Sequence, residues 1–432
     1  TVVDADGLDS VATFAAGEGP DAVLEGFTLT GGEADDGGGI HIFTASPTLI
    51  GLVIQYNRAT NDGGGVYVEL GSPTLSDITI QDNLADDGGG GLFVDGGAAV
   101  VDGGWFHGNE AGWDGGGIAA IGAQLSLVDV VIRDNVAGDD AGGLYLESAG
   151  AILEGVDTSD NTAGDDGGGL YAELVSLAIA GGILSGNQSD DDGGGAYLTG
   201  CTAALSHLVV ADNTCGYDGG GLHALNSNVE LSHGHFLLNR ALNDGGGICV
   251  ESSQLTATHA TWLANIADDD GGGLMVESGT ASLASCVLSS NVAASHGGGL
   301  DCDACSLTAS YTAVWANAPS AYEGVADPTG VGGNVSANPG FLNTWPADPL
   351  DWNMHLSASS TLVDAGSPAE VDPDGGPADI GGYGGGAAAG WDLDRDGYGS
   401  WWQPGPYDPL FYPGLGLDCD DLDPAVFPGA GC

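Results

Sequence analysis

A glycine cluster recurs at 37, 63, 89, 115, 141, 167, 193, 219, 245, 271 and 297, a spacing of 26 residues held without a slip. Only Ala141 interrupts the first glycine of the series. A fixed period of this size defines a solenoid, in which each unit covers the hydrophobic face of the next and touches only its neighbours. Counting domains from the length of 432 residues would therefore mislead.

Aligned on the glycines, "NRATNDGGGVYVE", "NTAGDDGGGLYAE", "NRALNDGGGICVE" and "NIADDDGGGLMVE" share the consensus Asn-x-Ala-x-Asp-Asp-Gly-Gly-Gly-apolar-x-apolar-Glu. Apolar residues two apart, such as Leu274 and Val276, face one side of a strand, while Tyr171 and Met275 at the intervening position face the other. A second strand precedes the asparagine, where Ile54, Ile80, Phe106, Ile132, Leu184, Val210, Phe236, Trp262 and Leu288 keep the same spacing. Two or three short strands leave no room for a helix in a coil. The expected fold is all-β: a right-handed parallel β-helix of 26-residue coils about 4.8 Å apart, giving a rod of roughly 50 Å, followed by a small loop-rich calcium-binding tail. The expected divisions are opening coils at 1–36, regular coils at 37–317, irregular closing coils at 318–388 and an acidic tail at 389–432.

The asparagines at 57, 83, 109, 135, 161, 187, 213, 239, 265, 291 and 317 are expected to stack, their amides bonding along the column and to turn backbone. Asn187 and Asn334 match the glycosylation pattern, but the first belongs to this column. Glycine fills the turn because successive positions need a positive φ or leave no space for a Cβ; the second and third glycines are expected to matter most.

These repeats resemble the right-handed parallel β-helix repeats of secreted and surface-attached bacterial proteins, the superfamily that also contains pectate lyases. The resemblance extends from residue 1 to about 388. "TVVDADGLDSVATFAAGEGPDAVLEGFTLTGG" is similar to the family's opening coils and "NPGFLNTWPADPLDWNMHLSASSTLVDAGSPAEVDPDGGPADIGGYGG" to its irregular closing coils. It implies an extracellular or cell-surface location and leaves activity open.

Two acidic columns precede the glycines. Asp36, Asp62, Asp114, Asp140, Asp166, Asp192, Asp218, Asp244 and Asp270 form one, and Asp35, Asp87, Asp139, Asp165, Asp191 and Asp269 the other. Stacking sets like charges one coil rise apart. At ~4.8 Å each pair costs about 0.9 kcal/mol in bulk water and several times that at the lower effective dielectric of a protein surface. The carboxylates must splay into water, hold protons, or share hard divalent cations. Calcium, which takes six to eight oxygens in flexible geometry, is the expected occupant.

A second calcium signal lies in "DLDRDGYGS", where Asp392, Asp394 and Asp396 alternate, Gly397 supplies the sharp turn and the Tyr398 carbonyl takes the seventh position. Gln403 stands where the twelfth-position acid belongs, and Asp418, Asp420, Asp421 and Asp423 are placed to complete the coordination. Together the two halves resemble the metal-binding repeat at the ends of bacterial surface proteins. Arg395 and the single copy depart from that pattern.

Charge narrows the partners further. With 61 acidic residues, four arginines, no lysine and a formal charge of -57, nucleic acid and anionic membranes are excluded as natural partners and divalent cations favoured. Hydrophobic content of 42%, arranged in register, opposes disorder, and no apolar run is long enough to span a bilayer. "TVVDADGLDSVATF" opens as strand without a signal peptide, consistent with a processed or truncated chain. Eight cysteines suit an oxidising compartment; Cys302 with Cys305 and Cys419 with Cys432 are the local pairs, with Cys249 and Cys286 as candidates for buried free thiols.

His207, His233 and His259 share a column that alternation places outside, where a transition metal is one reading and unliganded surface histidine the other. Trp113 and Tyr217 replace acidic-column residues and Trp105 occupies an outward position, suiting packing caps better than a sugar-binding strip. An enzyme of the lyase or hydrolase kind needs a base beside a metal, or a tuned carboxylate pair, in a cleft that breaks the repeat. Here the coils keep one length, and Arg58 and Arg240 lie seven coils apart. The expectation is a non-enzymatic extracellular structural protein, able to stack head to tail into filaments; the alternatives are a glycan- or protein-binding adhesin and a polysaccharide lyase or hydrolase.

Overall fold

The computed structural model describes residues 1–372 and 375–386, with the backbone of the two-residue strands Gly399–Ser400 and Leu417–Asp418. It is a parallel β-solenoid of about 12 turns with 26-residue coils. Two compact units divide it: Thr1–Ile179 with Ile183–Ala203 and Thr214–Gly216, and Ala180–Gly182 with Ala204–Asn213 and Tyr217–Cys432.

A coil of the first unit has three walls. After the glycine turn comes the four-residue strand Val66–Glu69, then the long strand Thr74–Gln81, then the two-residue strand Leu84–Ala85. Each pairs in parallel with its counterpart 26 residues on, as in Val66↔Leu92, Thr74↔Val100 and Leu84↔Glu110. Alternation sends Val66, Val68, Leu75, Ile80 and Ala85 inward, where all are fully buried. Fully burying an aliphatic side chain of this size contributes ~1.5–3 kcal/mol, so the stacked core is the main cohesive term.

In the second unit the long wall is split into pairs such as Asn228–Ser232 and His235–Leu237. The register persists, with Leu222↔Ile248, Asn228↔Gln254 and Arg240↔Ile266.

Asparagine ladders fasten the corner between the long and short walls. In the first unit each Nδ2 from Asn57 to Asn161 donates to Oδ1 of the next asparagine at 3.0 Å. The second unit repeats this from Asn213 to Asn317 at 2.9–3.0 Å. Asn83 shows the full pattern: its Nδ2 also donates to Ile54 O at 2.9 Å and its backbone N–H to Asn109 Oδ1 at 3.2 Å. Asn187 and Asn334 are both buried, which removes the glycosylation reading.

The glycine expectation is met with a division of labour. The first glycine lies in the left-handed region, Gly63 at φ 66°, and Ala141 adopts φ 55° in its place. At the second position a Cβ on Gly64 would sit 2.5 Å from Leu84 O, and at the third a Cβ on Gly65 would sit 2.5 Å from Gly91 O. Backbone oxygens cannot yield as a side chain can, so these columns exclude every other residue.

Past the regular coils the chain forms an antiparallel pair, Phe341–Asn343 with Asn353–Leu356, around the 3-10 turn Pro349–Asp351. Leu362 and Ile380 from this region pack with Val287 and Ala313 of the last coils. Residues 381–385 then lie against the outer face of the long wall: Gly381 N–H donates to Ser285 O and Gly382 N–H to Thr261 Oγ1. This corrects the placing of the histidine column. His233 and His259 are only 4% exposed, because the closing segment covers them. Alternation along a strand reports which face a residue is on, and says nothing of what later settles on that face.

Cys302 and Cys305 are disulfide-bonded, while Cys201, Cys215, Cys249 and Cys286 are buried thiols. Cys419 and Cys432 lie outside the described residues.

Candidate metal centre: the aspartate ladder

The turn between the short wall and the glycines carries the acidic columns, and coil stacking brings their members together on one side of each unit. Asp140 N–H donates to Asp114 Oδ1 at 3.2 Å, Asp166 N–H to Asp140 Oδ1 at 3.1 Å, and Asp192 N–H to Asp166 Oδ1 at 2.9 Å. In the second unit Asp244 N–H donates to Asp218 Oδ1 and Asp270 N–H to Asp244 Oδ1, both at 2.8 Å. Asp36 and Asp62 begin the series, with Gly88 N–H donating to Asp62 Oδ1 at 3.0 Å where the column lacks an acid. Sequence reasoning missed this ladder of carboxylate and backbone amide. The spacing of 26 placed the groups, but only the turn geometry aims each amide at the preceding carboxylate.

Among the described residues, three groups of three carboxylates have an oxygen from each within 4.8 Å of the others: Asp139, Asp140 and Asp165; Asp165, Asp166 and Asp191; Asp244, Asp269 and Asp270. Asp35, Asp36, Asp62, Asp87, Asp114, Asp192 and Asp218 belong to none of these groups. The second column is interrupted by Asn61, Trp113, Tyr217 and Asn243, which limits its triplets. Where a neutral donor stands in the column, it bridges to the neighbouring carboxylate: Asn61 Nδ2 to Asp36 at 3.3 Å and Asn243 Nδ2 to Asp218 at 2.8 Å. His296 Nδ1 does the same to Asp270 at 3.0 Å, which raises its pKa.

Burial changes the protonation of the ladder. Asp62, Asp114 and Asp244 are pushed up to about 6, and Asp140 and Asp166 to about 7, because partial burial penalises the ionised form more than the amide hydrogen bond favours it. Neighbouring carboxylates push in the same direction. One side of the ladder is bordered by the outward side chains of the first wall, with Tyr145 and Tyr171 rings stacked at 5.2 Å and Tyr171 and Tyr197 at 5.3 Å.

The described arginines are engaged elsewhere. Arg58 pairs with Asp86 at 2.6 Å, Arg240 with Asp268 at 2.8 Å, and Arg133 with Asp134 and Asp160 at 3.0 Å. All three are well exposed and contribute little to stability. Trp105, Trp113 and Tyr217 stand half exposed.

His207, His233 and His259 stack with ring centroids 4.9 and 5.2 Å apart. Their polar contacts run to the closing segment: His233 Nε2 lies 3.0 Å from Gly384 O and His259 Nε2 2.6 Å from Glu370 Oε2. His233 and His259 therefore form a docking seam between the long wall and the closing segment at Glu370 and residues 381–385.

Of the tail candidates, Asp392, Asp394, Asp396, Tyr398, Asp420, Asp421 and Asp423 lie outside the described residues. The backbone of Asp418 lies in a short parallel pairing opposite Ser400. Comparison with protein-family models, curated proteins and solved structures yields no match. What the ladder does must follow from its own chemistry.

Proposed function

We propose that the chain is a non-enzymatic extracellular or cell-surface structural protein, a β-solenoid stabilised by calcium held between coils at its aspartate columns. One observation carries the reading: the carboxylate triplets gather oxygens within 4.8 Å in successive coils. A neutral amide bridges Asp218 from Asn243, and His296 bridges Asp270; where only aspartates meet, a cation performs the same service. Carboxylate oxygens, turn carbonyls and water form the hard donor set that calcium prefers, in a flexible arrangement that magnesium tolerates poorly. The resemblance to secreted β-helix proteins and to the acidic terminal metal-binding repeat supports the same location and the same ion, with the tail as a further calcium site.

Self-association by stacking of coils into filaments is part of this proposal. Equilibrium dialysis against calcium tests the first part: several ions per chain are expected, with fewer in Asp140→Asn/Asp166→Asn, and no binding would overturn it. Electron microscopy with and without calcium tests the second, and monodisperse particles in both conditions would refute it.

A further inference from the structure

The outward column of the first wall changes character between the units. In the first it is mainly aromatic, with Tyr67, Phe93, Tyr145, Tyr171 and Tyr197, whereas in the second it reads His223, Cys249, Met275 and Asp301. The first three face one another in register across successive coils, His223↔Cys249 and Cys249↔Met275. Although they point away from the core, they are only 2%, 2% and 6% exposed. An imidazole, a thiol and a thioether from three adjacent rungs make a donor set of a different kind from the aspartate ladder.

We propose that His223, Cys249 and Met275 form a binding site for a monovalent soft metal ion, cuprous copper or its silver analogue. Ladder pitch supports the assignment. Adjacent rungs stand about 4.8 Å apart, and metal bonds of ~2.0 Å to imidazole nitrogen and ~2.3 Å to sulfur sum to ~4.3 Å across an ion. An ion held at the level of Cys249 therefore lies about one rung from His223 and one rung from Met275, and both of these longer side chains lean toward it. Soft ions of this kind accept two or three such ligands and prefer thiolate and thioether; a hard ion seeking six or more oxygens finds nothing comparable here.

Charge supports the choice of a monovalent ion. On binding, the Cys249 thiol releases its proton to solvent, and the thiolate with a singly charged ion leaves no net charge in a nearly closed site. Glu251 Oε2 lies 3.9 Å from His223 Nε2, a charge contact beyond hydrogen-bond reach that favours a cation at this end of the site. The contrast with Cys286 is informative. That thiol is fully buried, and its own column offers Ala260 and Thr312 in the adjoining coils, neither of them a soft-metal ligand.

The test is an anaerobic titration of the full-length chain, its Cys302–Cys305 disulfide kept intact, with cuprous ion against a chromophoric chelator, in excess calcium, following thiolate-to-copper absorption in the near ultraviolet. One equivalent should bind with that absorption in the wild type and in Cys286→Ser. Cys249→Ser should lose the absorption, and Met275→Leu, which conserves volume, should weaken binding roughly tenfold while keeping the thermal midpoint. The proposal fails if wild type does not compete with the chelator. It fails equally if Cys249→Ser binds like wild type, if Cys286→Ser is as damaging, or if Met275→Leu is without effect.

Discussion

Replacing Asp140 by asparagine isolates what charge does in the ladder. The amide keeps an oxygen to accept the Asp166 N–H, now bonded at 3.1 Å, and removes the carboxylate charge. In the fold Asp140 titrates at about 7 against an ordinary 3.8, a difference equivalent to ~4 kcal/mol against its ionised form. The side chain is only half-buried, so solvent screening leaves about 1–2 kcal/mol. Because the folded value is raised, the ladder's contribution is fully present below the ordinary value and is lost as pH rises through about 7. With chelator present throughout, wild type should melt progressively lower between pH 5 and pH 8. Asp140→Asn should melt about 2 °C higher than wild type at pH 8, with a smaller gap at pH 5 that closes only near pH 3.8. Differential scanning calorimetry at the two pH values reads this directly. A variant that melts with or below wild type at pH 8, or a chelated wild type that gains stability across the interval, would refute the reasoning.

Three further perturbations probe other parts of the fold. Asn109→Leu removes the acceptor for two buried donors, the Asn83 backbone N–H and Nδ2, and should cost about 2–6 kcal/mol in chemical denaturation. Gly116→Ala sets a Cβ 2.4 Å from Val136 O and should cost more than ~2 kcal/mol, while Ala141→Gly, at a position already at φ 55°, stays within ~1 kcal/mol. At the docking seam, burial depresses His233 to about 3 and His235 well below its ordinary 6.5, so the seam is intact above 6.5 and weakens as pH falls. Hydrogen exchange corrected for intrinsic rates should show residues 381–385 opening up to ~100-fold more per buried histidine at pH 4.5 than at pH 7, with the Ile248–Glu251 strand still protected.

Much of the fold was legible because one period governs it. The asparagine column, the inward apolar pairs and the glycine turn all follow from a 26-residue spacing combined with strand alternation. Ala141 even marked the first glycine position as the tolerant one; that it is conformational and the second and third steric came from the structure. What escaped has a common physical origin. The burial of His233 depends on Gly384, 151 residues away, and a strand's own pattern carries no trace of that contact. Likewise, the like-charge columns were visible in the sequence, but their partial burial and amide hydrogen bonds were not. Both arise from how the turn presents each aspartate to the next coil. The burial, outweighing the amide hydrogen bonds, pushes Asp140 and Asp166 up to about 7, so protonation joins cation binding as a way of relieving the repulsion.

Scanning calorimetry of the purified chain at pH 8, loaded with calcium and then stripped by chelation, puts the central idea to its hardest trial. Two or more ions bound between coils at a hundredfold excess over their dissociation constant would each contribute about 2.7 kcal/mol, so chelation should lower the melting temperature by several degrees and readdition should restore it. An unchanged transition would mean that the aspartates of neighbouring coils tolerate one another without a shared cation.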